Sequence, residues 1–224
     1  MMPVAPVSAN AAIRGLYGVT PDDADSARLM SRVRGALAGG MRVLQYRNKV
    51  ADAALRHTQA AALRALCTEY GAALIINDDL ELALAVDADG LHLGGEDGSL
   101  AAARARLGPN KLLGASCYRS LENAERALAE GADHIAFGSF FVSTVKPGAV
   151  RSNPTLLNEA KQRFKVPVVA IGGITLDNAS QLISAGADSV AVITALFGAP
   201  DVTVAAQKFN ALFESSHETK PKTF

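Results

Sequence analysis

The sequence predicts an α/β protein built as a single (β/α)8 TIM barrel, and three observations carry that reading. Short apolar runs alternate with Ala- and Leu-rich amphipathic stretches eight times across 224 residues, a length at which such barrels form one domain. A motif also recurs. Asp87-Ala-Asp-Gly-Leu-His-Leu-Gly94, Gly131-Ala-Asp-His-Ile-Ala-Phe-Gly138 and Gly186-Ala-Asp-Ser-Val-Ala-Val-Ile193 each place a small residue and Ala-Asp ahead of an apolar run, and Gly39-Gly-Met-Arg-Val-Leu-Gln-Tyr46 is a looser copy. This is a helix end, a tight turn and a buried strand in series. Finally, strict alternation implies parallel pairing through right-handed crossovers, and the Gly-x-Gly-x-x-Gly turn of an open dinucleotide-binding sheet is missing after the first strand.

Taken in order, strands are expected at 15–20, 42–46, 73–77, 90–93, 112–116, 134–138, 167–171 and 189–193. Helices are expected at 24–38, 52–69, 79–86, 99–107, 120–130, 154–164, 177–185 and 202–213. Pro21, Pro109, Pro154, Pro167 and Pro200 fall at boundaries, where a missing N–H is tolerated. Residues 1–12 read as an N-terminal extension, 13–214 as the barrel and 215–224 as a polar, flexible tail.

Composition narrows the function classes. Aromatic residues make up 5% of the chain and Trp is absent, so Ala, Leu, Val and Ile must fill the core, as suits a parallel sheet under helices. The 22 basic and 22 acidic residues cancel and no basic block stands out, which argues against a nucleic-acid partner. The two cysteines do not make a disulfide framework, and Cys67 shares an apolar helical stripe with Leu63, Leu66 and Tyr70. Neither a signal peptide nor a run of ~20 apolar residues occurs. The expectation is a cytoplasmic protein with small-molecule partners and no membrane contact, with a homo-oligomer left open.

In barrels of this kind function sits at the C-terminal ends of the strands. After strand 2, Gln45, Arg47 and Lys49 share a face by two-residue periodicity and suit a multiply charged anion. After strands 3 and 4, Asp78 and Asp97 can converge, whereas Asp79 reads as a helix N-cap. A carboxylate pair among cations suits Mg²⁺ bound with substrate phosphates. Asn77 and Ser116 add polar groups at the ends of strands 3 and 5. The long loop after strand 6 carries Ser143, Thr144 and Lys146; Gly172 and Gly173 follow strand 7, and Ile193 and Thr194 end strand 8. Loops 7 and 8 commonly cradle a phosphate monoester through backbone N–H groups, so two anion positions are expected. His92 reads as a hydrogen-bonded core residue; His57 is expected on an exposed helix face, and His134 at the start of a strand.

Together these residues resemble the thiamine-phosphate synthase (thiamine-phosphate pyrophosphorylase) family from about Gly15 to the last helix. The family's segments recur in register: Gln-x-Arg-x-Lys at Gln45, Arg47 and Lys49; Asn-Asp-Asp at Asn77 to Asp79; Asp97; Gly-x-Ser ending at Ser116; Lys146; Gly-Gly-Ile at Gly172 to Ile174; and the pair Ile193 and Thr194. The resemblance implies that Gln45, Arg47, Lys49, Asn77, Ser116 and Lys146 hold a hydroxymethylpyrimidine diphosphate, with Arg47, Lys49, Ser116 and Lys146 taking part in catalysis. It implies that Asp78 and Asp97 carry one Mg²⁺, and that Ser143, Thr144, Gly173, Ile193 and Thr194 hold a thiazole phosphate. Two positions depart from the family pattern: Val145 replaces its usual Thr, and Gly95 its frequent Gln. Either Thr144 substitutes for the missing hydroxyl, or affinity for the thiazole phosphate falls. The competing readings are a Schiff-base aldolase using Lys146 and a non-catalytic or tautomerase-like relative of the family.

Overall fold

The computed structural model describes residues 13–95, 97–142 and 150–218, with side chains through 215. Eight parallel strands close into a barrel in sequence order. In chain order the elements are β1 (Gly15–Val19), α1 (Ser26–Ala38), β2 (Val43–Tyr46), α2 (Ala53–Tyr70), β3 (Ala73–Asn77), α3 (Leu80–Ala85), β4 (Gly90–Leu93) and α4 (Leu100–Leu107). There follow β5 (Leu112–Tyr118), α5 (Leu121–Ala129), β6 (His134–Gly138), α6 (Thr155–Arg163), β7 (Val168–Ile171), α7 (Ala179–Ser184), β8 (Ser189–Val192), α8 (Thr194–Phe197) and α9 (Val202–Glu218). Every strand expected from the sequence is present, and so is every helix.

The helix starts follow from local chemistry. Asp25, Asp52, Asp79, Ser99 and Ser120 each accept the backbone N–H three residues on, so α1 to α5 begin directly after them. Asp97 is not the cap of α4; Ser99 is. After β8 the chain forms the one-turn helix α8, closed by Phe197 N–H to the carbonyl of Ile193 at 2.9 Å. The last helix runs to Glu218, past its expected end at residue 213. No Gly or Pro interrupts the chain before Pro221, and a polar segment can continue a helix into solvent.

Two apolar layers result from strand alternation. One, inside the barrel, contains Tyr17, Val19, Val43, Ile75, Leu112 and Val169. The larger one lies between strands and helices and includes Cys67, which is fully buried. Among the described residues no helix is long and apolar enough to cross a membrane.

The repeated Ala-Asp has a structural role at the N-terminal end of the barrel. The carboxylates of Asp89, Asp133 and Asp188 accept the backbone N–H of Leu74, Leu113 and Val168 respectively, each at 2.8 Å. In each case the Asp backbone N–H returns a bond to the carbonyl of that same residue. Arg64, Arg104 and Lys161 pair with the three carboxylates. Each motif thus ties its own even-numbered strand to the one before it. Position 42 in the looser copy is Arg, and there the partner of β1 comes from far away: Asn210 of α9 accepts the N–H of Leu16 at 3.3 Å and donates to the Gly39 carbonyl at 3.1 Å. Asp188→Ala is expected to lower stability by about 1–3 kcal/mol by orphaning the Val168 amide, which urea denaturation would measure.

Candidate active site at the C-terminal mouth

Two cavities open at the C-terminal ends of the strands. The larger, about 730 Å³, is lined by Gln45, Asn77, Ser116, Gly173, Ile193 and Thr194 among others. The smaller, about 570 Å³, is lined by Lys49, Asp78 and Asp97 among others. Arg47 and Asn77 line both and so stand at their junction. Among the described residues, every position singled out from the sequence as a site residue is in one of the two. Ser143, Thr144, Val145 and Lys146 lie outside the described residues.

The expected face of Gln45, Arg47 and Lys49 is split between the cavities. Strand β2 ends at Tyr46, so the two-residue alternation does not continue through Lys49. Gln45 is buried inside the barrel and donates to the Tyr17 hydroxyl at 3.0 Å, while Lys49 lines only the smaller cavity. The loop is fixed by residues the sequence reading missed. Thr20 Oγ1 donates to the Arg47 carbonyl at 2.7 Å and accepts its N–H at 2.8 Å. Asp22 accepts the Lys49 N–H at 2.7 Å and pairs with the Arg47 guanidinium at 3.1 Å. Below them the buried amides of Asn48 and Gln59 both donate to the Asp23 carbonyl, at 2.7 and 3.0 Å. The signal was present: Thr20 and Asp22 alternate at the end of the strand beside β2.

Asp78 has a left-handed backbone, φ 61°, which Asp tolerates better than most residues. Its N–H donates to the His92 carbonyl at 2.9 Å, tying the end of β3 to β4. Burial pushes its carboxyl above the usual carboxylate range, and the neighbouring Asp97 adds to the shift. The Gly94 N–H, the Asn77 amide and Lys49 oppose it. Gly94 makes the approach of Asp97 possible, because a Cβ there would lie 2.2 Å from Asp97 Oδ2. Two adjacent carboxylates, one destabilised by the other, are a donor set suited to a divalent cation completed by water and phosphate. No cluster of three or more metal-ligating side chains occurs among the described residues.

Around the larger cavity, Gly172 and Gly173 adopt φ 107° and 64°. A Cβ on Gly172 would lie 2.0 Å from Ser139 Oγ, and one on Gly173 2.3 Å from the Val142 carbonyl. The glycine pair therefore lets the segment after β6 lie directly on the loop after β7, held by Phe140 N–H to the Ile171 carbonyl and Phe141 N–H to the Gly172 carbonyl. Strand β5 extends to Tyr118, two residues past its expected end. The Tyr118 hydroxyl accepts the Gly95 N–H at 3.2 Å, and a Cβ on Gly95 would lie 3.0 Å from the Tyr118 ring. Tyr118 thus fills space beside Gly95, which accounts for the absence of a larger residue there. Arg119 also lines the larger cavity, a second cation the sequence reading missed.

A closed parallel barrel whose strand ends carry cations, a carboxylate pair and glycine-bounded loops belongs to the class of (β/α)8 proteins equipped for phosphorylated ligands. The family model described as thiamine monophosphate synthase matches residues 16–196. Thiamine-phosphate synthase from Azoarcus sp. is 55% identical over 201 residues, covering 90% of this chain and 98% of the relative. The thiamine-phosphate synthase of Thiobacillus denitrificans is 52% identical over 204 residues, covering 91% and 97%. The solved structure of thiamine phosphate pyrophosphorylase from Pyrococcus furiosus superposes with a TM-score of 0.80 at 38% identity, covering 90% of this chain and 96% of that one. The chain belongs to the thiamine monophosphate synthase family and, with it, to the transferases.

Proposed function

We propose that the chain condenses 4-amino-2-methyl-5-hydroxymethylpyrimidine diphosphate with 4-methyl-5-(2-hydroxyethyl)thiazole phosphate, giving thiamine phosphate and pyrophosphate. The observation that carries the reading is the gathering of Arg47, Lys49, Asp78 and Asp97 around one cavity that meets the larger one at Arg47 and Asn77. The reacting diphosphate then lies at the junction, within reach of Ser116, with the pyrimidine in the larger cavity near Gln45. Gly173, Ile193 and Thr194 line that same cavity and are assigned to the thiazole phosphate, together with Ser143 and Thr144 of the loop after β6.

Asp78 and Asp97 would hold one Mg²⁺, which when bound supplies neutralisation of the charge that builds on the leaving diphosphate. Arg47 and Lys49 add fixed positive charge, and their effect grows as the C–O bond breaks, so they favour departure over binding alone. Lys146 is assigned to the same group of cations. The electron-rich aminopyrimidine carries the resulting cation, so the reaction needs no protein nucleophile. The larger cavity holds the thiazole nitrogen close to the electron-deficient carbon, and the C–N bond forms there.

Purified protein is expected to release pyrophosphate from the two substrates together, with Mg²⁺ required; no release under any metal condition would overturn the reading. Borohydride trapping of a carbonyl substrate on Lys146 would instead favour the aldolase reading. Val145→Thr is expected to lower the apparent KM for the thiazole phosphate. An unchanged or higher KM in steady-state assays would mean that Thr144 already supplies the hydroxyl.

A further inference from the structure

Beneath the mouth, two histidines project into the barrel from β4 and β6, the strands that flank β5. His92 is 7% exposed and His134 0%, and their ring centroids lie 5.8 Å apart. Between them β5 carries Gly114, where a Cβ would stand 2.5 Å from His92 Nδ1 and 2.3 Å from His134 Nε2. The two nitrogens therefore converge over one glycine, within about 5 Å of each other, and only a residue without a side chain fits beneath them. On its far side His92 Nε2 is 2.9 Å from Ser116 Oγ. Neither His92 Nδ1 nor either nitrogen of His134 has a hydrogen-bond partner among the described residues. Both rings are buried, and a neutral imidazole carries one N–H and one lone pair.

A neutral His92 can address Ser116 in two ways. With the proton on Nε2 it donates to Ser116 Oγ, and the serine hydroxyl hydrogen turns toward the cavity. With the proton on Nδ1 it accepts from the serine, which then shows the cavity only lone pairs. The cavity containing Ser116 decides between these, because among the described residues its charged lining groups are Arg47 and Arg119, with no carboxylate. Its occupant near Ser116 is an anion, and an anion needs a donor. The Nε2–H form also leaves a lone pair on Nδ1, toward which His134 can present an Nε2–H.

We infer that His92 is a positioning residue that makes Ser116 a hydrogen-bond donor aimed at the diphosphate. This rests on the reading of the Arg47 junction as the diphosphate position. It assigns Ser116 a role in holding a phosphate oxygen rather than in nucleophilic attack, and gives a purpose to a buried histidine pair.

The test compares two amides of different reach. In His92→Gln the side-chain amide nitrogen takes the place of Nε2 and can still donate to Ser116, whereas in His92→Asn the amide ends near the Nδ1 position, short of the serine. The first readout is calorimetric titration of the folded protein with inorganic pyrophosphate and Mg²⁺, which does not depend on the identity of the pyrimidine substrate. His92→Asn and Ser116→Ala are each expected to weaken pyrophosphate binding about tenfold or more, as for loss of a hydrogen bond to a charged group. His92→Gln is expected to stay within about threefold of the parent, and the His92→Asn/Ser116→Ala double variant to be no weaker than Ser116→Ala alone. In turnover, the same variants should lower kcat in the same order. Equal effects of Gln and Asn, or multiplicative losses in the double variant, would overturn the inference. A parent protein that binds pyrophosphate but fails to join the two substrates would instead overturn the proposed reaction and leave this arm standing.

Discussion

Asp78→Asn and Asp97→Asn are each expected to lower turnover by at least about a hundredfold, as for loss of a group that stabilises transition-state charge, while Asp78→Asn raises the melting temperature in metal-free buffer. The two effects have one cause. Burial and Asp97 raise the folded-state pKa of Asp78, so its ionised form is less favoured in the fold than in the unfolded chain. A carboxyl raised in this way contributes less to stability as pH climbs through its shifted value, and at neutral pH it is a net cost. The amide removes that cost, and Asn accepts the φ of 61° that this position requires. It also removes half of the site assigned to the cation. Addition of Mg²⁺ with pyrophosphate should raise the melting temperature of the parent and fail to raise that of Asp78→Asn. Metal-independent turnover at the parent rate in both variants would eliminate the carboxylates as the cation's holders, and an unaltered melting temperature would contradict the raised pKa.

Acid should destabilise this protein from about pH 6.5 downward. His92 is held down to about 4 and His134 to about 3 by burial, against an ordinary value near 6.5. Here the sign is opposite to that of Asp78. The unfolded chain takes up protons that the fold refuses, so stability is complete above about pH 6.5 and is lost as pH falls toward 4. Over that interval each histidine withdraws on the order of 3 kcal/mol, a large share of the 5–15 kcal/mol typical of a domain. Thermal melts between pH 7 and 4 should show a steep fall, and His134→Gln should flatten it. A profile unchanged by that substitution would assign the acid sensitivity to other groups.

The barrel was legible because its signals are local. Alternation of apolar runs, the Ala-Asp repeat and the Asp and Ser caps each act within a few residues, and they place all eight strands. The candidate site was legible where a polar residue stands at a strand end with no local structural reason to be there, as with Arg47, Asp78, Asp97 and Ser116. What escaped were partnerships across loops. Asp22 looks like any loop acid until the backbone of Lys49 is seen to rest on it, and Gln59 looks like a solvent-facing helix residue until its amide is found wholly buried against the Asp23 carbonyl. The glycine pair after β7 was legible as a place of close approach. That the approaching group includes the protein's own segment after β6 depends on tertiary geometry that no periodicity encodes. His92 was correctly read as a hydrogen-bonded interior residue, but its convergence with His134 over Gly114 requires three strands in register.

The arrangement at the foot of β1 bears on how the chain is made. Three of the four even-numbered strands bring their own Asp to the strand before them, within 15, 20 and 20 residues, so these pairs can lock soon after they leave the ribosome. The first pair lacks that Asp, and the Leu16 amide waits for Asn210, 194 residues downstream. Strand β1 likewise meets its second neighbour only when β8 arrives. A nascent chain therefore carries an open edge at its oldest strand throughout synthesis, and the final helix, by supplying the missing acceptor, acts as the latch that ends that exposure.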